Sequence, residues 1–393
     1  MNILLITPLY SIEGRESLER NTDAIHHLVK HWQKCEEVNL LIINTYLNPG
    51  RNIAFLLKKG ELRNYKTHYD YTVDGVKVHL IEVQQIPFQK KFWGFQNRKI
   101  INTINFVIEK RDFDPDIIIA HFPIRYLGVM DKLKSKALKV AVMHFTDLRL
   151  LKKYTSQITE FNKLFDLVYT RSEAIKCGAK ALGIERLSEF IVNSGVPYSK
   201  CPTRNNISMN KKIQLIYVGK LIERKHAEYV IEALGRLKDT FDFQFKIIGK
   251  GPLKDKFVQK VKQVRIENRV EFIDSLSREE VYYEMSQSEI FIMPSVQETL
   301  GLVYLEAMLH GCITIGTEGE GIDGIIKNGE NGFLVKSLSP ESVYQCLKDI
   351  FLMPDDELIR ISKFATLSGN HYNEEDMSGA YLSEIRSNKK VII

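Results

Sequence analysis

The stretch Pro294-Ser-Val-Gln-Glu-Thr-Leu-Gly-Leu-Val-Tyr-Leu-Glu-Ala-Met-Leu-His-Gly311 joins one apolar run to the next through a helix. Ile290 to Met293 reads as a strand that ends at Pro294. A loop carries Glu298, Gly301 opens a helix that carries Glu306, and Gly311 closes it before Cys312 to Gly316. Strand, helix and strand in this order build a parallel sheet, and ligands of such sheets sit at the carboxyl ends of the strands. The helix start offers unpaired N–H groups and a partial positive charge. The amides of Thr299, Leu300, Gly301 and Leu302 therefore suit a phosphate or a sugar hydroxyl. Glu306, five residues past Gly301, supplies the two acceptors that a ribose diol needs.

The same alternation runs outward in both directions. Asn2 to Thr7, Val38 to Ile43, Val76 to Val83, Ile117 to Ala120, Lys139 to Met143, Leu167 to Thr170 and Phe190 to Val192 read as strands. After a break they resume at Gln214 to Val218, Phe243 to Ile248 and Val270 to Ile273, and end at Gly332 to Val335. Short apolar strands between amphipathic helices predict parallel sheets covered on both faces. The break holds Ser194-Gly195-Val196-Pro197, Pro202, Asn205-Asn206 and Lys211-Lys212, the composition of a domain boundary. The reading is α/β, with two doubly wound Rossmann-like domains in tandem, 1–200 and 205–371.

Composition narrows the function. The 393 residues are 44% hydrophobic, which excludes disorder as the main state. Cys35, Cys177, Cys201, Cys312 and Cys346 are odd in number and lack Cys-x-x-Cys spacing. A disulfide scaffold or zinc site is not expected, and a reducing compartment fits. The start MNILLITPLY has no cationic leader, and no apolar run is long enough to span a bilayer. Residues 1–200 carry 30 Lys and Arg against 21 Asp and Glu; residues 201–393 carry 25 against 28. The basic first half points to an anionic partner. No RNP, zinc-finger or basic-helix pattern accompanies it, so nucleic acid is not expected.

Further clusters carry chemistry. In Tyr217-Val-Gly-Lys-Leu-Ile-Glu-Arg-Lys225 a strand ends at Gly219, and Lys220 and Lys225 follow within one loop. Two cations at a strand's carboxyl end suit a diphosphate. Ile247-Ile-Gly-Lys-Gly-Pro252 holds Gly251 in a strand–helix turn. Ala141-Val-Met-His144 and the segment ending in His121 each put a His at a strand end. Asp112-Phe-Asp114-Pro-Asp116 contains Asp-x-Asp, but at the amino end of a strand, so it reads as turn residues rather than a metal site. Phe88 to Lys99 interleaves aromatics with Lys90, Lys91, Arg98 and Lys99. It suits either an anionic membrane surface or a core-packed loop with solvated charges.

Glu298 and Glu306, with seven residues between, resemble the Glu-x7-Glu motif of retaining glycosyltransferases of family 4, which have the GT-B fold. The flanking Pro294-Ser295, Gly301-Leu-Val303, Glu306-Ala-Met308 and Gly329-Glu-Asn-Gly-Phe-Leu-Val335 are similar as well. The Gly219 to Lys225 loop resembles the family's Gly-Arg-Leu…Lys-Gly signature, with Lys220 in place of Arg, His226 in place of Gly, and Arg224 nearby to supply the missing guanidinium. Gly251 resembles part of its Gly-x-Gly-Pro turn, and Asp274 stands where the base-edge strand has Gly. Gly14-Arg15 lies where the family has Gly-Gly near the donor phosphate.

The resemblance implies two Rossmann-like domains facing across a cleft, the first binding acceptor and the second donor. A C-terminal helix at about 372–393 returns to the first domain. His144, Glu298, Lys220 and Lys225 would be catalytic. Gly14, Arg15, Gly219, Arg224, Gly251, Thr299 to Leu302 and Glu306 would bind donor, with His121 on the acceptor side. The implied reaction moves a sugar, with retention and without a metal or other cofactor. The donor would be a UDP-sugar or GDP-mannose, and the acceptor a glycan or glycolipid such as a lipid-linked precursor of a surface polysaccharide. A cytoplasmic location, with docking on the inner face of the cell membrane, would follow. An epimerase of the same fold and a non-enzymatic nucleotide-sugar binding module are the alternatives. A dehydrogenase is disfavoured, because no complete Gly-x-Gly-x-x-Gly follows a strand.

Overall fold

The computed structural model describes residues 1–10, 12, 24–48, 68–84, 92, 94–133, 135–197 and 211–392. Two compact units divide them. One comprises Met1–Arg171, Ile175–Ser194 and Met377–Ile393; the other comprises Ser172–Ala174 and Gly195–Asp376.

The N-terminal unit is built on eight strands: β1 (Asn2–Thr7), β2 (Asn39–Asn48), β3 (His68–Val73), β4 (Val76–Gln84), β5 (Ile117–His121), β6 (Leu138–Met143), β7 (Leu167–Thr170) and β8 (Leu187–Ile191). Their order in the sheet is β3-β4-β2-β1-β5-β6-β7-β8. Period-two alternation sends neighbouring apolar side chains to opposite faces, and both faces are covered. Leu4 and Ile6 of β1 join one buried cluster, while Ile3 and Leu5 join the other. Ile118 and Ala120 divide from Ile117 and Ile119 in the same way.

The sheet is not purely parallel, which corrects the sequence expectation. β3 pairs antiparallel with β4 through Asp74-Gly75, both at positive φ (47° and 80°). That is the backbone a two-residue hairpin requires. β3 alternates polar and aromatic residues on a sheet edge and has no continuous apolar run to announce it.

The last helix, Glu374–Ile392, enters this unit at Met377. Trp32 Nε1 donates to the Ser378 carbonyl at 2.9 Å, and the Trp32 and Tyr381 rings lie 5.2 Å apart. Lys389 pairs with Asp116 at 2.7 Å, and the Asp116 carboxylate also accepts the Asn2 N–H at 2.8 Å. The third carboxylate of the Asp-x-Asp stretch thus ties the amino end of the sheet to the terminal helix.

The second unit has six parallel strands: β9 (Ile213–Val218), β10 (Phe243–Ile248), β11 (Val270–Ile273), β12 (Ile290–Ile292), β13 (Ile313–Thr317) and β14 (Phe333–Val335). Their order is β11-β10-β9-β12-β13-β14. The reversal of winding between β9 and β12 makes a topological switch point, where open α/β sheets bind ligands. One continuous apolar core surrounds this sheet, from Leu215 and Phe245 to Leu347 and Ile361.

Candidate functional site

At the switch point, the loops after β9 and β12 are joined by their backbones, with the Val296 N–H donating to the Arg224 carbonyl at 2.8 Å. Lys225 closes a short 3-10 turn, Glu223–Lys225, and is buried. Its Nζ lies 2.5 Å from Glu298 Oε2 and 3.4 Å from Met293 Sδ. Arg224 reaches the same oxygen at 3.1 Å from a more exposed position. Burial pushes the Glu298 carboxyl up, but Lys225 and Arg224 together outweigh it and hold the group below the usual carboxylate range. Glu298 is therefore charged at neutral pH, and two cations share one carboxylate. Lys220 is exposed, and its side chain has no partner among the described residues; its carbonyl accepts from Tyr217 Oη at 3.1 Å.

Residue 226, a Gly in the resembling family, is a left-handed His here (φ 48°), stacked on Tyr229 with centroids 4.6 Å apart. The chain thus keeps the backbone that a glycine would provide, and the ring packing holds it there. Gly219 and Gly251 sit where exit loops cross. The Gly219 N–H donates to the Ile248 carbonyl at 2.9 Å, and a Cβ on Gly251 would stand 2.2 Å from the Leu221 oxygen. Close backbone approach accounts for Gly251 before any ligand is considered. Asp274 forms an ion pair with Lys254.

The helix Leu302–Leu309 starts at Gly301, whose φ is 79°. Among the described residues the N–H groups of Thr299, Leu300 and Gly301 carry no hydrogen bond. Beneath them Tyr304 Oη donates to the Met293 carbonyl at 2.6 Å and shares a 2.7 Å hydrogen bond with Ser295 Oγ. This buried tyrosine fixes the helix start against the end of β12. Glu306, on the second turn, is already engaged: Arg278 and Tyr282 both donate to its Oε1, at 3.0 and 3.1 Å. They lie one turn apart on the helix Arg278–Gln287, whose start is capped by Ser277 and Glu280. The capping pattern is legible in the sequence, but the meeting with Glu306 is not.

The N-terminal unit gathers a second polar cluster at the carboxyl ends of β5, β6 and β7. His121 Nδ1 and His144 Nε2 are 3.1 Å apart, and the His144 ring stacks on Phe122 at 3.7 Å. Burial holds both imidazoles neutral, well below the ordinary His range, and the positive charge of Arg171 adds to it. Arg171 is buried too and bonds to Ser194 Oγ. Asp147 accepts the His144 N–H at 2.9 Å and the Ile124 N–H at 3.2 Å, which ties the two strand ends together. Its complete burial pushes its carboxyl up to about 7 despite those bonds. Sequence reasoning missed Asp147, Arg171, Arg278 and Tyr282. Only Asp147, three residues after the strand-end His on a helix start, had a local signal. Gly14 and Arg15 lie outside the described residues, as do Phe88 to Lys91.

Residues 203–365 match the sequence profile described as glycosyl transferases group 1. The second unit thus carries a group 1 glycosyltransferase domain. The chain is 24% identical, over 304 residues, to the putative colanic acid biosynthesis glycosyltransferase WcaL of Escherichia coli K12, covering 72% of this chain and 74% of that one. The fold is that of GT-B glycosyltransferases. The lipopolysaccharide outer core galactosyltransferase WaaB superposes with a TM-score of 0.71 at 18% identity, over 99% of this chain and 100% of the other. Anabaena HepE in complex with UDP-glucose gives 0.65 at 15% identity, over 98% and 99%. In the group 1 domain, the Lys225–Glu298 pair and the unpaired amides of 299–301 mark the carboxyl edge of the sheet.

Proposed function

We propose that this protein transfers a sugar from a nucleoside-diphosphate sugar to an acceptor hydroxyl, with retention at the anomeric carbon. The observation that carries the reading is the convergence of Lys225, Arg224 and the free amides of Thr299, Leu300 and Gly301 on the loop ends flanking Glu298. Such a set favours a diphosphate, and most of all the charge that grows on it as it leaves. Resemblance to a UDP-glucose-bound neighbour supports a UDP-sugar; GDP-mannose is the other candidate. The colanic acid relative supports a surface-polysaccharide acceptor.

In the proposed step, the bond from the anomeric carbon to the diphosphate oxygen breaks as a bond to the acceptor oxygen forms on the same face. The acceptor's proton passes to the leaving phosphate, so no strong protein base is needed. Lys225, Arg224 and Lys220 take up the negative charge. Each charge-assisted hydrogen bond is worth roughly 1.5–3 kcal/mol, so losing one slows turnover by about one to two decades. Glu298 steadies the sugar hydroxyls and the cationic transition state, and Glu306 accepts from the ribose. His144 and His121 keep the catalytic and acceptor-side roles that the resemblance gives them. The cations take the place of a metal.

The deciding experiment is a thermal-shift panel of nucleoside diphosphates and their sugars, followed by transfer assays with the donor that binds. A ligand of the native state raises the melting point. Stabilisation by UDP or GDP, with turnover that needs an acceptor and survives chelator, supports the reading. Donor consumption without acceptor would favour an epimerase, and binding without turnover a binding module.

A further inference from the structure

Glu320 belongs to none of the motifs above. It lies in the loop after β13, and its Oε2 accepts the backbone N–H of Glu298 at 2.9 Å. Glu298 is therefore gripped at both ends, its side chain by Lys225 and Arg224 and its backbone by Glu320. The residue between Val296 and Glu298 needs such a grip. Gln297 has φ 59°, a left-handed backbone that costs a non-glycine residue roughly 1–2 kcal/mol and persists where the surroundings hold it.

The loop that supplies Glu320 is itself braced. The Gly319 N–H donates to Asp323 at 2.6 Å, and the Asp323 N–H to the Glu320 carbonyl at 2.9 Å. Gly321 lies against the far side of the same turn, where a Cβ would stand 2.4 Å from the Thr299 carbonyl carbon. Electrostatics oppose the arrangement. Burial and the Glu298 charge both push the Glu320 carboxyl up, while the N–H groups of Glu298 and Gln297 draw it down. A carboxylate kept beside another carboxylate, with backbone N–H groups as its partners, points to a task in holding that backbone.

We propose that Glu320 is a positioning residue: by accepting the Glu298 N–H it locks the Gln297–Glu298 turn and sets the direction in which Glu298 meets Lys225 and Arg224. This rests on the transferase reading and deepens it. Glu320 itself touches no donor.

The test is a cycle of Glu320→Ala, Glu320→Gln, Glu298→Gln and the Glu320→Ala/Glu298→Gln double variant, assayed on the full chain with the donor found above. Glu320→Ala should lower kcat by about tenfold with the donor KM within about twofold, since a misaimed group loses transition-state contacts first. Glu320→Gln, whose amide oxygen still accepts the N–H, should recover most of that loss. In the Glu298→Gln background, Glu320→Ala should add less than about twofold, because coupled residues are not additive. An equal loss in both backgrounds, or a change in KM alone, overturns the proposal. Amide hydrogen exchange reads the contact without turnover. Glu320→Ala should speed exchange at Glu298 and leave the core amides of β12 slow, and unchanged exchange at Glu298 refutes the grip. A wild type that turns over no donor would defeat the transferase reading, while the exchange result would still decide what holds Glu298.

Discussion

Lys225 Nζ stands 2.5 Å from Glu298 Oε2 in the interior of the second unit, 73 residues away in the chain. Arg224 shares that oxygen at 3.1 Å, so the carboxylate neutralises one of two cations and leaves the other's charge uncompensated. Charge compensation of this kind would keep the proposed diphosphate site folded before its ligand arrives.

The pair predicts a stability cycle. Lys225→Met leaves Glu298 buried with one partly exposed cation and should cost roughly 2–4 kcal/mol. Lys225→Met/Glu298→Gln removes both charges and should regain at least half of it, read as urea midpoints. Losses that simply add would show that the pair is not coupled.

Glu306 predicts donor affinity. Glu306→Ala should weaken donor binding by about tenfold or more, the value of a charged hydrogen bond. Tyr282→Phe removes one of the two donors on Oε1 and should weaken it by about threefold. Isothermal calorimetry measures both. Unchanged affinity in Glu306→Ala would take the ribose contact away from this residue.

Asp147 predicts a pH dependence of stability. Its folded carboxyl titrates at about 7 instead of 3.8, so the folded state binds the proton more tightly than the unfolded chain. Its contribution is full below about pH 4 and declines as pH rises to about 7. The stability of wild type relative to Asp147→Asn should fall over that interval. Parallel urea-midpoint curves from pH 4 to 8 would mean that the group is not protonated in the fold.

The helix Gly94–Lys110 predicts membrane docking. Phe95 and Phe106 are more than half exposed on it, beside Arg98 and Lys110. No helix among the described residues is long and apolar enough to cross a bilayer. Phe95→Glu and Phe106→Glu together should cut co-sedimentation with phosphatidylglycerol vesicles several-fold without altering turnover of a water-soluble acceptor. Undiminished sedimentation would place any docking surface elsewhere.

The amino-acid sequence alone determined the two-unit α/β architecture, because strands buried on both faces must be apolar along their whole length and so stand out locally. It also determined that Glu298 and Glu306 share one loop and helix, since eight positions of backbone link them. Only the tertiary structure decided the hairpin strand β3, whose half-exposed edge needs no apolar run. It decided that Arg278 and Tyr282 meet Glu306, and that Asp147 holds two strand ends. It placed Glu320 under the backbone of Glu298. These are contacts between residues 22 to 28 positions apart, or on separate elements. Periodicity reports which face of an element is buried; it carries no information on which polar groups will meet once the elements pack.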